Sequence, residues 1–126
     1  MAKILQVVAL NITNINLCQE DYRRQTKLIP ESQICAGGEE NKDSCNGDSG
    51  GGLLKLNKRK GRNFYTVVGL VSFGPEYCGT ANRHGVYTKI RAYKDWIREN
   101  IGSDKLCKAF LYTVGILLGR EVSTTY

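Results

Sequence analysis

Residues 4–12 read Ile-Leu-Gln-Val-Val-Ala-Leu-Asn-Ile, a β-branched and apolar run with polar positions only at Gln6 and Asn11, and its length suits a strand. Residues 16–26 carry Asp21, Tyr22, Arg23 and Arg24 in the pattern of a short surface helix, and Ile29-Pro30 breaks it. Residues 33–36 form a short strand and residues 37–51 an irregular glycine-rich loop. Strand patterns resume at 53–56 and 64–73 across a basic turn at 57–62, which predicts a hairpin. Residues 85–90 give one more strand. Residues 92–101 then set Tyr93, Trp96, Ile97 and Ile101 at helical spacing, with Asn100 and Gly102 as stop signals. Short strands followed by one terminal helix predict an all-β, barrel-like module, without internal repeats or low-complexity segments.

Composition narrows the picture. A chain of 126 residues holds one domain, and 41% hydrophobic with 24% charged residues reads as globular. The net charge of +6 would suit a polyanion, but the charge is spread along the chain and aromatic residues do not interleave with it, so nucleic-acid binding is not expected. Five cysteines show no CxxC or Cys/His zinc spacing, so disulfides in an oxidising compartment are the better reading and neither metal nor cofactor is expected. The first ten residues lack the small-residue cleavage site of a signal peptide, which sets an exported chemistry against an absent export signal. Asn11-Ile12-Thr13 is an N-glycosylation acceptor pattern that matters only if the chain is exported.

The chemistry is concentrated in Asp43-Ser44-Cys45-Asn46-Gly47-Asp48-Ser49-Gly50-Gly51-Gly52. Glycines flank a serine on a loop held by a cysteine, which exposes the hydroxyl and lets backbone N–H groups approach a substrate carbonyl oxygen. Those are the needs of an acyl-transfer nucleophile with an oxyanion hole. The segment resembles the nucleophile loop of the trypsin-like, chymotrypsin-fold serine proteases. Val71-Ser72-Phe73-Gly74 looks like that family's substrate-binding strand, and Cys78 follows at a fitting distance. Gly85-Val86-Tyr87-Thr88-Lys89 looks like the strand closing the specificity pocket, and Asp95-Trp96-Ile97 resembles the C-terminal helix. The likeness covers residues 5–101. Within the family, Cys78-Gly79-Thr80 and Lys55 look most like the arthropod clip-domain proteases.

The resemblance implies the second six-stranded Greek-key barrel of that fold, lacking its first strand, with a C-terminal α-helix, over residues 1–102. It makes Ser49 the nucleophile and assigns the oxyanion hole to the N–H groups of Gly47 and Ser49. Asp43 would lie at the base of the primary pocket, with Gly74 and Gly85 on its walls and Ser72 and Gly74 aligning the substrate backbone. A buried carboxylate there selects Arg or Lys before the scissile bond, because a desolvated charge needs a partner. Asp48 would receive the new amino terminus of a cleaved zymogen. Four of the cysteines admit three connectivities by sequence alone, and the resemblance picks Cys18 with Cys35 and Cys45 with Cys78. Cys107 is left as a free thiol or a bond to another chain or segment.

The catalytic histidine and aspartate belong, in this family, to a first barrel that this chain lacks. The one histidine, His84, sits in the pocket-closing stretch as a partly exposed loop residue, away from Ser49. Loss of the base costs about a millionfold in turnover, so the expected function is a secreted trypsin-like endopeptidase present as a fragment, inactive alone and dependent on the missing N-terminal barrel. A non-catalytic module that keeps the Arg/Lys pocket is the alternative. The open barrel exposes a hydrophobic edge, which makes independent folding doubtful. Gly52 stands where the family commonly has proline.

Two features lie outside the family pattern. Residues 103–126 form a non-family tail, disordered or artefactual, whose uncharged run at 109–119 is shorter than the about 20 residues that span a bilayer. No membrane partner is expected. Lys58, Arg59, Lys60 and Arg62 crowd one hairpin tip, where a solvated loop is weighed against an exosite for acidic substrates or heparin-like chains.

Overall fold

The computed structural model describes residue 4 and residues 6–101. The expectations for the tail at 103–126 and for Cys107 lie outside the described residues. Five strands form one antiparallel sheet in the order β1-β2-β5-β4-β3: β1 is Ile12–Thr13, β2 Gln33–Gly37, β3 Gly52–Arg59, β4 Arg62–Phe73 and β5 His84–Lys89. Helix α1 spans Ile15–Tyr22, and a single 3-10 turn at Ile90–Tyr93 leads into helix α2, Lys94–Ile101. The mostly antiparallel β fold with a short C-terminal helix is that expected of half a trypsin-like domain.

The N-terminal apolar run departs from the pattern read off it. A strand was expected over residues 4–12, but regular pairing reaches only Ile12 opposite Ala36 and Thr13 opposite Cys35, with one further bond from the Gly37 N–H to the Asn11 carbonyl at 2.9 Å. Val7 is 92% exposed. A β-branched run gains from strand geometry only when a neighbouring strand covers it, and among the described residues none lies beyond this edge.

Helix α1 also differs, starting at Ile15 instead of 16 and ending at Tyr22. Asn14 caps it, its side-chain oxygen accepting the Asn16 N–H at 2.9 Å. It is no simple surface helix. Cys18 and Tyr22, four residues apart on one face, are buried, and with Leu28, Cys35 and Val86 they form the core cluster, against which Ile15 and Phe73 pack. The Tyr22 and Phe73 rings meet edge to face at 5.3 Å.

The hairpin is longer and its turn tighter than the sequence pattern suggested. Strands β3 and β4 stay paired to Arg59 opposite Arg62, and only Lys60 and Gly61 turn, at φ 47° and 76°. Two successive positive φ values match the right-handed twist of the strands, so the ladder continues to the tip.

Candidate active site

Local hydrogen bonds present Ser49 at the surface. The loop turns on itself through Asp48 N–H to Cys45 O at 3.0 Å and Gly51 N–H to Asp48 O at 2.8 Å. It is then tied to β4 by Gly50 N–H to Val71 O and Val71 N–H to Gly51 O, both 2.9 Å. The turn requires glycine at Gly51, where a Cβ would lie 2.8 Å from the Asp48 carbonyl oxygen. Gly47 and Gly50 on either side of the serine adopt φ 101° and 82°. The N–H groups of Gly47 and Ser49 donate to no acceptor among the described residues.

These ties bring Ser49, Ser72 and Gly74 around one cleft of about 60 Å³, with Ser44 and Phe73 also lining it and Cys45 and Cys78 in its wall. The bond between Cys45 and Cys78 joins the Ser49 loop to the segment after β4, and the bond between Cys18 and Cys35 joins α1 to β2. Asp48 is exposed and closes its own loop, its Oδ2 accepting the Cys45 N–H at 2.8 Å.

Asp43 and Gly85 do not line this cleft, and the Asp43 carboxylate has an asymmetric environment. Its Oδ2 accepts the Gly79 N–H at 3.2 Å, whereas its Oδ1 is buried with no hydrogen-bond partner. Gly85 permits the close approach of its neighbours: a Cβ there would stand 3.4 Å from that same Oδ1 and 3.1 Å from the Tyr87 ring. The loop carrying Asp43 is also tied to the segment after Cys78 by Asn41 N–H to Gly79 O at 2.8 Å.

Some of the surroundings carried no sequence signal. Ser44 Oγ and Tyr87 Oη lie 3.0 Å apart, and the Tyr87 phenol is pushed up by burial, with Asp43 and Asp48 adding to that against the bond to Ser44. Ser44 could have been suspected from its place next to Asp43. Tyr87 and Gly79 lie in stretches that carry the family resemblance, but their contacts with Ser44 and Asp43 span 43 and 36 residues and no local pattern assigns them.

The histidine requires a correction. His84 is the first residue of β5 and not a loop residue, and its side chain is only 16% exposed. Asp21 Oδ2 accepts both the His84 N–H at 3.0 Å and a bond from Nδ1 at 2.7 Å, while the Tyr22 hydroxyl donates to the His84 carbonyl. Residues 21 and 22 of α1 thus hold every polar group of the His84 backbone, and the ring does not line the Ser49 cleft.

Residues 1–97 match the family model described as Trypsin. Among curated proteins, the chain is 45% identical over 95 residues to serine protease ea of Drosophila melanogaster, covering 75% of this chain and 24% of that protein. It is 44% identical over 98 residues to phenoloxidase-activating factor 1 of Holotrichia diomphalia, covering 78% and 26%. It is 40% identical over 94 residues to CLIP domain-containing serine protease B4 of Anopheles gambiae, covering 75% and 25%, so the arthropod clip-domain likeness holds. The chain spans about a quarter of the length of these relatives.

Proposed function

Because the chain belongs to the trypsin family of serine proteases, we propose that it supplies the nucleophile, oxyanion hole and primary specificity pocket of an extracellular endopeptidase cleaving after Arg or Lys. The observation that carries the specificity is the buried, unpartnered Oδ1 of Asp43. A buried acceptor left without a donor costs about 1–3 kcal/mol, and a guanidinium or ammonium entering past Gly85 removes that penalty with a charge-assisted bond. Two disulfides suit an oxidising compartment.

In this reading Ser49 Oγ attacks the carbonyl carbon of the scissile bond, and the idle N–H groups of Gly47 and Ser49 receive the oxygen as it becomes negative. The serine proton must go to a base, and His84, held by Asp21, is not placed to take it. The base and its orienting aspartate therefore come from a first barrel outside these residues. Without them the nucleophile stays a neutral alcohol.

Two probes test the two halves of the site. Benzamidine should bind the purified chain through Asp43, whereas a fluorophosphonate should label Ser49 slowly if at all. Brisk labelling of the chain alone would sink the requirement for an outside base. A natural gene product well above 14.0 kDa, labelled briskly at Ser49, supports the protease. A natural product of this size that binds benzamidine and resists labelling favours a binding module.

A further inference from the structure

Five of the chain's 18 basic residues and none of its 12 acidic ones lie in residues 49–75. The rest of the chain, with 13 basic and 12 acidic residues, is nearly neutral. The net charge that seemed spread along the chain therefore belongs almost wholly to the β3–β4 hairpin: Lys55, Lys58, Arg59, Lys60 and Arg62. All five are exposed, and Lys55, Lys58, Lys60 and Arg62 form no ion pair with a carboxylate among the described residues.

The arrangement works against the stability of the hairpin. Arg59 and Arg62 are directly opposed in the ladder, and like charges so placed destabilise a strand pair. Lys60 takes a left-handed φ of 47°, which costs a non-glycine residue about 1–2 kcal/mol. Protection of an exposed strand edge is an insufficient explanation. Charges serving that end belong beside Leu54 and Leu56, each 54% exposed, and four of the five cations lie beyond them at the tip.

We propose that the hairpin tip binds a sulfated polysaccharide. Pairing puts Lys55, Arg59 and Arg62 on one face and Lys58 on the other, with Lys60 in the turn between them. Cations on both faces and around a tip fit a flexible linear polyanion that wraps them, whereas a folded acidic surface reaches one face only. Single-stranded nucleic acid needs stacking platforms among the cations. The exposed ring here, Tyr65, pairs with Leu56 and shares its face with Lys58 alone, opposite Lys55, Arg59 and Arg62. Lys58 lies six residues along β3 from Gly52, about 20 Å of strand. A polymer held at the tip leaves the Ser49 cleft open.

The test uses the full chain with both disulfides formed, titrated with a heparin decasaccharide across salt concentrations. Lys58→Gln, Lys60→Gln and Arg62→Gln together should weaken binding about tenfold and lower the slope of log K against log salt by about two. Arg24→Gln, Lys27→Gln and Arg91→Gln remove the same charge elsewhere and should change affinity by less than about twofold. Arg62→Gln alone, the mildest change to the ladder, should cost about threefold, which keeps the test valid if the triple variant misfolds. Equal losses in the two triple variants, or no loss in the hairpin variants, overturn the proposal. So does binding of poly-glutamate or single-stranded DNA of matched charge as tightly as heparin.

Discussion

Asp43 is bonded on one side only. With Oδ2 on the Gly79 N–H and Oδ1 buried without a partner, the proposed pocket offers a cationic ligand a charge-assisted contact. Asp43→Ser should therefore weaken benzamidine binding by about 2–3 kcal/mol, a loss of roughly 30- to 150-fold by calorimetry. An unchanged affinity would mean the amidine sits elsewhere. Tyr22 makes a second residue-scale case, because burial first and Asp21 next push its phenol from 10.0 to about 12. The unfolded chain ionises at the lower value, so this contribution to stability is complete below pH 10 and disappears as pH rises towards 12. A shift of that size corresponds to about 2–3 kcal/mol. Tyr22→Phe should lose about 1 kcal/mol near neutrality through the bond to the His84 carbonyl, and its denaturation midpoint should fall less between pH 10 and 11.5. Tyr87, also raised, leaves a residual decline. At this scale the meeting of Ser49, Ser72 and Gly74 at one cleft was legible because each lies in a contiguous segment with its own pattern. The Asp21–His84 pair was not, since 63 residues separate its members and no local pattern links them.

Between residues and the molecule stand the elements, and here the hairpin shows what periodicity conveys and what it omits. Alternation located both strands. It left six residues of turn where the chain needs two, because a run of Lys and Arg has the composition of a loop whether or not its backbone is paired. The type I′ geometry at Lys60-Gly61 favours Asn-Gly. Lys60→Asn should raise stability by about 0.5–1 kcal/mol, read from urea midpoints, while removing one cation from the tip. A destabilised variant would mean that the Lys60 stem packs in a way its exposure does not suggest. Helix α1 was misjudged for a related reason. Glu20 and the following Arg23 and Arg24 are exposed and read as a solvated face, whereas Cys18, Asp21 and Tyr22 turn inward to Cys35, His84 and Phe73 respectively.

For the whole molecule, the balance of covered and uncovered apolar surface decides behaviour in solution. The core cluster is small and gathered where α1 meets β2 and β5, while Val7, Ile12, Leu17, Leu54, Leu56 and Tyr65 are all more than half exposed. Leu54 and Leu56 lie across from Val67 and Tyr65 on one face of β3 and β4, and β3 is an edge of the sheet among the described residues. An exposed apolar face beside an open edge is a template for association with another chain. The five cations of the hairpin, four of them farther along it, oppose that association through repulsion, and salt weakens the repulsion with a screening length of about 10 Å at 0.1 M. Self-association should therefore rise with salt, the reverse of heparin binding at the same hairpin. Sedimentation velocity at 20 and 300 mM salt separates the two effects. Leu54→Lys with Leu56→Lys should hold the chain monomeric at both salt concentrations and leave benzamidine affinity unchanged, because neither leucine lines the Ser49 cleft. Association that persisted in this variant would place the sticky surface elsewhere, with the exposed segment around Val7 next to be tested.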